Sequence, residues 1–186
     1  MLAEMQTLTM PKPISTIPPR TMMEVFEYLP EGTLVQLIEN ILIMSPAPTT
    51  NHQRMLAKIY KVMAIFVDDH DLGEVWISPL DVYLDDENAF QPDIIFISKA
   101  RQSIVKKKGI YGAQDLVIEI LSPSTGKYDR RQKKDVYERC GVQEYWIIDP
   151  YEKSVQGFQL VNNKYKALAQ TEGFIRSGLL QTEFHF

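Results

Sequence analysis

Cysteine is nearly absent from this chain, since Cys140 is the only one among 186 residues. An intrachain disulfide and a zinc site built from several cysteines are therefore excluded. Long hydrophobic runs are also missing, because no apolar stretch approaches the roughly 20 residues that a membrane-spanning helix needs. The N-terminus is rich in proline and threonine up to Pro19 and lacks the apolar core of a secretory signal peptide. We therefore expect a cytoplasmic protein with no membrane partner.

Several catalytic signatures are missing as well. The turn-rich stretch from Ser122 to Gly126 lacks the spacing of a phosphate-binding P-loop. No G-x-S-x-G sequence is present, which argues against a nucleophilic serine. There are no internal repeats and no linker, and 186 residues suffice for one domain with a proper core. We expect a flexible arm at residues 1–20 and a single domain at residues 21–186.

Positive charge is scarce overall but concentrated in one part of the chain. The net charge is -4, yet residues 99–134 contain ten lysines and arginines, so this segment carries +7 and the remainder −11. The acidic residues of the segment are Asp115, Glu119 and Asp129. A solvated basic loop would explain such a run by itself. Together with the carboxylates described next, it favours a substrate that bears phosphate groups.

Two short apolar runs each contain one acidic residue. Residues 92–97 hold Asp93, and residues 116–121 hold Glu119. Short runs rich in β-branched residues predict strands that are buried on both faces, or nearly so. A buried carboxylate is costly unless a positive charge compensates it. Asp93 and Glu119 are therefore candidate functional residues.

A lysine on the apolar face of a helix is the third candidate. The helix is predicted to begin at Asp129, with Gln132 as a capping-box partner, and to stop at Gly141. Apolar residues follow Lys133 at i+3, i+4 and i+7, namely Val136, Tyr137 and Cys140. They share its face, so Lys133 points towards the core. If the helix packs on the two strands, the lysine meets both carboxylates.

The other predicted elements surround this core. Residues from Thr50, with Gln53 as capping-box partner, to Asp69 carry a clean 3.6-residue apolar stripe and predict the most secure helix. His52 lies in its first turn, where a histidine is more often a surface or capping residue. Further predictions are a helix at 21–28, an extended segment or hairpin at 34–44, a first central strand at 75–84 with a bend at Pro79, a strand at 144–150, a hairpin at 154–169 and an apolar C-terminal stretch at 174–186. This order predicts an α/β fold.

Two carboxylates and a lysine suit metal-assisted phosphodiester hydrolysis. Asp93 and Glu119 offer the oxygen ligands that Mg²⁺ prefers. In such a site Lys133 orients the attacking water or stabilises developing negative charge. Taken singly, each carboxylate also fits a strand-end charge or an ion pair, and Lys133 fits a lysine with a buried stem. A glycosidase acid/base pair is a further interpretation, although the lysine and the basic surroundings argue against it.

Several motifs also stand in the order found in one family. They are Pro92-Asp93, Glu119 with the following LSPST, Tyr128-Asp129, Lys133 and the GVQEYW sequence at 141–146. Residues from about Leu34 to Pro150, including the MSPAP sequence at 44–48 and His52, resemble the Uma-type family of restriction endonucleases. That family belongs to the PD-(D/E)XK nuclease superfamily.

The resemblance implies an α/β restriction-endonuclease-like core, in which helices flank a mixed central sheet, with N-terminal and C-terminal β additions. It implies Asp93 and Glu119 as ligands of Mg²⁺, which Mn²⁺ can replace, and it adds His52 to Lys133 as a catalytic candidate. In the superfamily the lysine usually stands two residues after the second carboxylate. Leu121 occupies that position here, so the matching lysine is Lys133, displaced onto the helix.

The expected function is therefore that of a Mg²⁺-dependent endonuclease acting on DNA. The alternative is a catalytically inactive nuclease-fold protein that binds nucleic acid or protein. The family often has a glutamate where this chain has Gln36 and a glycine where it has Asn40, and loss of a metal ligand at Gln36 would weaken the site. Tyr145, Trp146 and the C-terminal tail are the candidates for a homodimer interface.

Overall fold

Short strands and a few helices alternate along residues 18–186, the part of the chain that the computed structural model describes. The strands are β1 (Val35–Ile38), β2 (Ile41–Met44), β3 (Gly73–Ile77), β4 (Val82–Asp85), β5 (Asn88–Phe90), β6 (Ile94–Ser98), β7 (Val105–Lys106), β8 (Gly109–Tyr111), β9 (Leu116–Ile120), β10 (Glu144–Ile148), β11 (Ser154–Val161), β12 (Lys164–Ala167), β13 (Thr171–Glu172), β14 (Phe174–Ser177) and β15 (Thr182–His185). The helices are α1 (Met22–Tyr28), α2 (Thr50–Asp69), a 3-10 helix (Lys99–Ile104), α3 (Gly126–Tyr128), a π-helical turn (Asp129–Lys133) and α4 (Lys134–Cys140). We refer to α3, the π-helical turn and α4 together as the site helix. The predicted arm at residues 1–20 lies outside the described residues, apart from residues 18–20.

A seven-stranded mixed sheet forms the centre of the molecule. Its strands follow the order β12-β11-β10-β9-β6-β3, and β13 pairs with β11. Strands β9 and β10 run parallel, whereas β6 is antiparallel to both of its neighbours, β3 and β9. Helix α2 covers one face of the sheet, and the site helix covers part of the other. The predicted α/β fold, with a mixed central sheet between helices, is confirmed.

Alternate residues of the central strands face the two helices, which explains why their sequences are apolar throughout. On β6, Ile94 belongs to the core shared with α2, and Ile95 belongs to the core shared with α4. On β9, Ile118 faces α2 and Val117 faces the site helix. Because successive strand side chains point to opposite faces, Glu119 lies on the same face as Val117. The pleat of β9 therefore directs this carboxylate towards the site helix.

Helix α2 has the predicted bounds and buries most of the predicted stripe. Its buried apolar residues are Met55, Leu56, Ile59, Met63 and Val67. Thr49, one residue before the predicted Thr50, is its N-cap. The C-terminal hairpin of β14 and β15 docks on the same side and adds Ile175, Leu180 and Phe184 to this core. No helix within residues 18–186 is long and apolar enough to cross a membrane.

This docking changes the expectation for a dimer interface. Tyr145 and Trp146 are 0% and 1% exposed, so they are buried inside their own chain. The Glu144 carboxylate accepts hydrogen bonds from the Trp146 indole N–H at 3.1 Å and from the Ser177 hydroxyl at 2.7 Å. These bonds fasten the C-terminal hairpin to the central sheet. The assignment of Tyr145 and Trp146 to a subunit interface was wrong, while a homodimer through another surface stays a prediction.

A second sheet, with the strand order β2-β1-β5-β4-β8-β7, packs beside the site helix. It contains the predicted hairpin at 34–44, whose turn residues Glu39 and Asn40 have φ values of 49° and 63°. One face of β1 carries Leu37, which packs with α1. The other face carries Gln36 and Ile38, which lie towards the site helix. The hairpin therefore forms a wall opposite that helix.

The stretch predicted as a first central strand, residues 75–84, forms two strands in different sheets. Strand β3 is the edge strand of the central sheet, and β4 belongs to the second sheet. Pro79 lies between them. Because proline cannot donate a hydrogen bond to a strand ladder, it favours a break there. The turn after β4 leads into β5 of the second sheet, and β5 precedes β6, the strand that follows Asp93.

The helix that carries Lys133 begins earlier than predicted. It starts at Gly126, three residues before Asp129, and the chain stays helical through Cys140. Asp129 therefore lies inside the helix and does not cap it, so the predicted start was wrong. The predicted stop is confirmed, because Gly141 adopts a left-handed conformation with φ 91°.

Candidate active site

Two adjacent strands place the predicted carboxylates side by side. Strands β6 and β9 are antiparallel with Ile94 opposite Ile118, so Asp93, which immediately precedes β6, is in register with Glu119. Residues directly opposite each other on one face of a sheet are close neighbours. Asp93 Oδ2 also accepts a hydrogen bond from the backbone N–H of Ile120 at 2.7 Å. This bond fixes the Asp93 carboxylate at the end of the strand pair.

Lys133 reaches this strand pair from the π-helical turn of the site helix. Its Nζ donates to Glu119 Oε1 at 2.6 Å and lies 3.0 Å from Asp129 Oδ1. The side chain is only 2% exposed, and Nζ lies 5.5 Å from the centre of the Phe90 ring. Lys133 thus lies on the inner face of its helix, as the sequence predicts, in contact with the second carboxylate.

Asp129 and Tyr137 also belong to this cluster, and sequence reasoning missed both. Asp129 was assigned to a helix cap, but it is buried and pairs with Lys133. Tyr137 was assigned to the apolar core, but its hydroxyl donates to Glu119 Oε1 at 2.8 Å. A signal was present in the spacing, because Asp129 stands four residues before Lys133 and Tyr137 stands four residues after it.

His52 joins the cluster from the first turn of α2. Its Nε2 lies 3.1 Å from Asp93 Oδ2, and the residue is 7% exposed. An ionised carboxylate can only accept, so Nε2 carries the proton in this contact. Burial disfavours the charged imidazole, but the contact with Asp93 and the charge of Glu119 outweigh it and raise the pKa of His52. The Nδ1 atom is buried and has no hydrogen-bond partner within residues 18–186.

The predicted site residues line one open cavity of about 570 Å³. The structure brings together His52, Asp93, Glu119, Asp129 and Lys133 in its lining. Gln36 lines it as well, donating its side-chain N–H to Ser45 Oγ at 3.2 Å and accepting from the backbone N–H of Gln91 at 3.2 Å. The position at which the family often has a glutamate therefore borders the same cavity.

Carboxyl groups outnumber basic side chains in this cavity. Burial raises the pKa of Glu119, and Asp129 and Asp93 raise it further, while Lys133 acts in the opposite direction. Burial likewise raises the pKa of Asp129. Burial alone would lower the pKa of Lys133, but Asp129 and Glu119 together raise it above its ordinary value, so the lysine stays charged. Three buried carboxyl groups share this cavity with one lysine and one histidine, and a further cation would stabilise the ionised forms of the carboxyl groups.

The carboxylates also have free oxygen atoms. Within residues 18–186, no three His, Cys, Asp or Glu side chains are grouped closely enough to hold a metal ion by themselves. Asp93 uses Oδ2 in its hydrogen bonds and Glu119 uses Oε1, so Asp93 Oδ1 and Glu119 Oε2 accept none from the described residues. Mg²⁺ usually keeps several waters and takes only one or two carboxylates. The donor set therefore fits a hydrated Mg²⁺ ion.

The basic segment at residues 99–134 is only partly free to meet an anion. Lys99 pairs with Asp71, and Arg101 lies 3.6 Å from Asp115, so these charges are compensated locally. The lysines at 106–108 are exposed, at the end of β7 and in the turn between β7 and β8. The site helix carries three exposed cations without an ionic partner in the described part of the chain, namely Lys127, Arg130 and Arg131. The site helix, which carries Lys133, therefore also carries uncompensated positive charge.

The family model described as "Uma2: Putative restriction endonuclease" matches residues 23–183. This match spans most of the chain. The chain belongs to the Uma2 family. The family resemblance predicted from the motifs between Pro92 and Trp146 is therefore confirmed.

Two further proteins resemble this chain at low sequence identity. An uncharacterised protein of Synechocystis sp., sll1609, is 23% identical over 140 residues, which cover 74% of this chain and 78% of that protein. The crystal structure of "a putative nuclease belonging to DUF820" from Anabaena variabilis has a TM-score of 0.71 and 20% identity, over 88% of this chain and 92% of that one. At this identity the likeness shows a common fold.

Proposed function

We propose that this Uma2 protein is a metal-dependent endonuclease that hydrolyses phosphodiester bonds of DNA. The observation that carries the proposal is the meeting of Asp93, Glu119 and Lys133 in one open cavity, with Lys133 Nζ 2.6 Å from Glu119. The family description and the fold support a nuclease. The metal, the DNA substrate and the roles of individual residues are our proposal.

Asp93 and Glu119 would hold the metal ion, for which we propose Mg²⁺ with Mn²⁺ as a possible replacement. The excess of buried carboxylates over cations supports a divalent ion at this place. When bound, such an ion polarises a phosphate oxygen and lowers the pKa of a coordinated water. The two free carboxylate oxygens, Asp93 Oδ1 and Glu119 Oε2, are the atoms available for it.

Lys133 orients the attacking water or a phosphate oxygen in this proposal. An ammonium group has three N–H donors, and two are directed at Glu119 and Asp129, at 2.6 and 3.0 Å. The third donor remains for the cavity. Loss of one well-placed donor to developing negative charge typically lowers kcat by about 10²- to 10³-fold. Asp129 fixes the position of the lysine, and Tyr137 fixes Glu119.

His52 acts through Asp93 in this proposal. It donates its Nε2–H to the Asp93 oxygen that already accepts from the Ile120 backbone. Two donors on Oδ2 hold the carboxylate in one orientation and leave Oδ1 for a metal ion. His52, which the family resemblance makes a catalytic candidate, is therefore proposed as a residue that positions Asp93.

DNA is the substrate that the surface charge favours. The site helix, which carries Lys133, also carries Lys127, Arg130 and Arg131 as exposed cations. Cations that line the approach to a site neutralise backbone phosphates and give sequence-independent affinity. The same charges would suit RNA, so a DNA and an RNA substrate should be compared in the same assay.

The test is cleavage of supercoiled plasmid DNA and of single-stranded DNA with Mg²⁺ or Mn²⁺. We expect Glu119→Gln to lose cleavage by at least about 10²-fold, because it removes a metal-binding charge. Glu144→Gln is a matched control, since Glu144 is 1% exposed and Glu119 is 3% exposed, but Glu144 lies outside the cavity. Melting temperatures of all three proteins would confirm that they are folded.

Each outcome separates the candidate functions. Metal-dependent cutting that survives Glu144→Gln and disappears in Glu119→Gln supports the proposal. Metal binding by the wild type without cutting of any nucleic acid would exclude the nuclease function for these substrates. Neither binding nor cutting would favour the inactive binding module, with Gln36 as the first residue to change to glutamate.

A further inference from the structure

A second cavity, of about 330 Å³, lies between the β1–β2 hairpin and the site helix. We call it the hairpin groove. Its hairpin side is apolar and is formed by Ile38, Ile41 and Ile43. Its helix side carries two cations, Lys127 and Arg131, both exposed. A groove with one apolar wall and one cationic wall is complementary to a nucleic-acid strand, which offers apolar sugar and base surfaces and anionic phosphates.

The hairpin groove lies next to the candidate active site along β1. Gln36 and Ile38 lie on the same face of β1, because they are two residues apart. Gln36 lines the active-site cavity, and Ile38 lines the groove. Two strand residues span about 7 Å, and one DNA strand carries a phosphate every ~3.4 Å of helix axis. A strand bound in the cavity therefore reaches the groove within a few phosphates.

The site helix borders both spaces. Its residues Asp129 and Lys133 line the active-site cavity, and Lys127 and Arg131 line the groove. Each pair has i,i+4 spacing, so each occupies one side of the helix. A single helix thus positions the catalytic lysine and the two groove cations.

The groove cations are free to bind an anion. Neither Lys127 nor Arg131 has an ionic partner within residues 18–186, in contrast to Lys99 and Arg101. The Lys127 ammonium lies 4.8 Å from the centre of the Tyr128 ring, which faces the same groove. The lining contains one acidic residue, Glu39, at the hairpin turn. The groove therefore keeps a net positive charge.

We propose that the hairpin groove binds the phosphate backbone of the strand that the active site cuts, on one side of the scissile bond. Lys127 and Arg131 contact the phosphates, and the isoleucine wall contacts the sugars or bases. The proposal rests on the nuclease function proposed above. It assigns to these two residues a role in substrate binding that is separate from the chemistry at Asp93 and Glu119.

The test compares two double variants that remove the same charge. The double variant Lys127→Ala with Arg131→Ala removes both cations from the groove. Lys58→Ala with Lys61→Ala is the control, because both lysines are exposed on α2 and lie outside both cavities. Both pairs are combined with Glu119→Gln, and binding of a short fluorescent DNA duplex is measured by anisotropy across a series of salt concentrations.

The groove variant is expected to bind more weakly and to show a shallower salt dependence. Each lost phosphate contact lowers the slope of log K against log salt by about 0.9, so two lost contacts lower it by about 1.8. In the cleaving protein, the same variant is expected to raise KM more than it lowers kcat. The control variant is expected to match its parent in all three measurements.

If the groove variant binds DNA as tightly as its parent, the groove proposal is overturned, even if Glu119-dependent cleavage is observed. An equal loss of affinity in both double variants would also overturn it, because the effect would then be one of net charge. If the wild type does not cut DNA and the Glu119→Gln variant does not bind it, both the groove proposal and the nuclease function fail.

Discussion

Lys133 is buried between Glu119 and Asp129, and its substitution should therefore affect stability as well as activity. We expect Lys133→Met to lower the free energy of unfolding by about 3–5 kcal/mol without metal, because two buried carboxylates lose their partner. Mg²⁺ should recover more stability in this variant than in the wild type, because the ion replaces the missing charge. Urea unfolding with EDTA and with Mg²⁺ measures both effects.

Lys58→Met serves as the control, since Lys58 is exposed and makes no ion pair with the described residues. Equal urea midpoints for the two variants in EDTA would show that Lys133 does not compensate the carboxylates.

The sequence predicts three of the six residues of the cluster from local patterns alone. Asp93 and Glu119 stand out because each is acidic within an apolar strand, and Lys133 stands out because it shares a face with apolar residues. Asp129 was misassigned because a helix beginning at that residue would use it as a cap. His52 is 41 positions from Asp93, and no local pattern reveals such a contact.

The site helix shows at the element scale why its start could not be predicted. The residues before Asp129, from Thr125 to Tyr128, contain a threonine and a glycine that suit a loop as well as a first helical turn. The π-helical turn at Asp129–Lys133 is not encoded by any residue type. Such turns are rare and often lie at functional sites, and this one holds both residues that pair with each other in the cavity.

The N-cap of α2 offers a direct comparison of the two neighbouring threonines. Thr49→Ala should lower the free energy of unfolding by about 1 kcal/mol, because Thr49 Oγ1 accepts from the backbone N–H of His52 at 3.3 Å. Thr50→Ala, one residue further, should change it by less than about 0.5 kcal/mol. Urea unfolding of both variants measures the difference. A larger loss in Thr50→Ala would support the assignment made from the sequence.

For the whole molecule, the sequence predicts the central sheet better than the second sheet. The strands around Asp93, Glu119 and Trp146 are apolar throughout, as buried central strands require. The second sheet consists of strands as short as two to four residues, and residues 75–84 contribute to both sheets. Patterns of that length do not determine which sheet a strand joins. Pro79 predicts only that the strand is interrupted there.

The charge balance of the cavity predicts how stability changes with pH. Burial raises the pKa of Glu119 to about 8, from an ordinary value near 4.5. The folded protein therefore binds this proton more tightly than the unfolded chain, and stability falls as pH rises from about 4.5 to 8. In EDTA the slope is expected to be at most about 1.4 kcal/mol per pH unit from this group. Urea unfolding at several pH values measures it.

Two comparisons isolate the source of this slope. Glu119→Gln should reduce it, leaving the contributions of Asp129 and His52, whose pKa values are also raised and which act with the same sign. Saturating Mg²⁺ should flatten it too, because the ion favours the ionised carboxylate. Stability that rises with pH in EDTA would show that Glu119 is ionised in the folded protein without metal.

The C-terminal hairpin has a consequence for how the chain folds. Most of the central sheet lies in sequence between α2 and β15, yet the Phe66 and Phe184 rings meet with their centroids 5.5 Å apart. Contacts between such distant segments form late, because a long loop must close before they stabilise anything. Until β15 docks on α2, the apolar stripe of this helix is only partly covered and can associate with another partly folded chain. Refolding is therefore the step at which this protein is most exposed to aggregation.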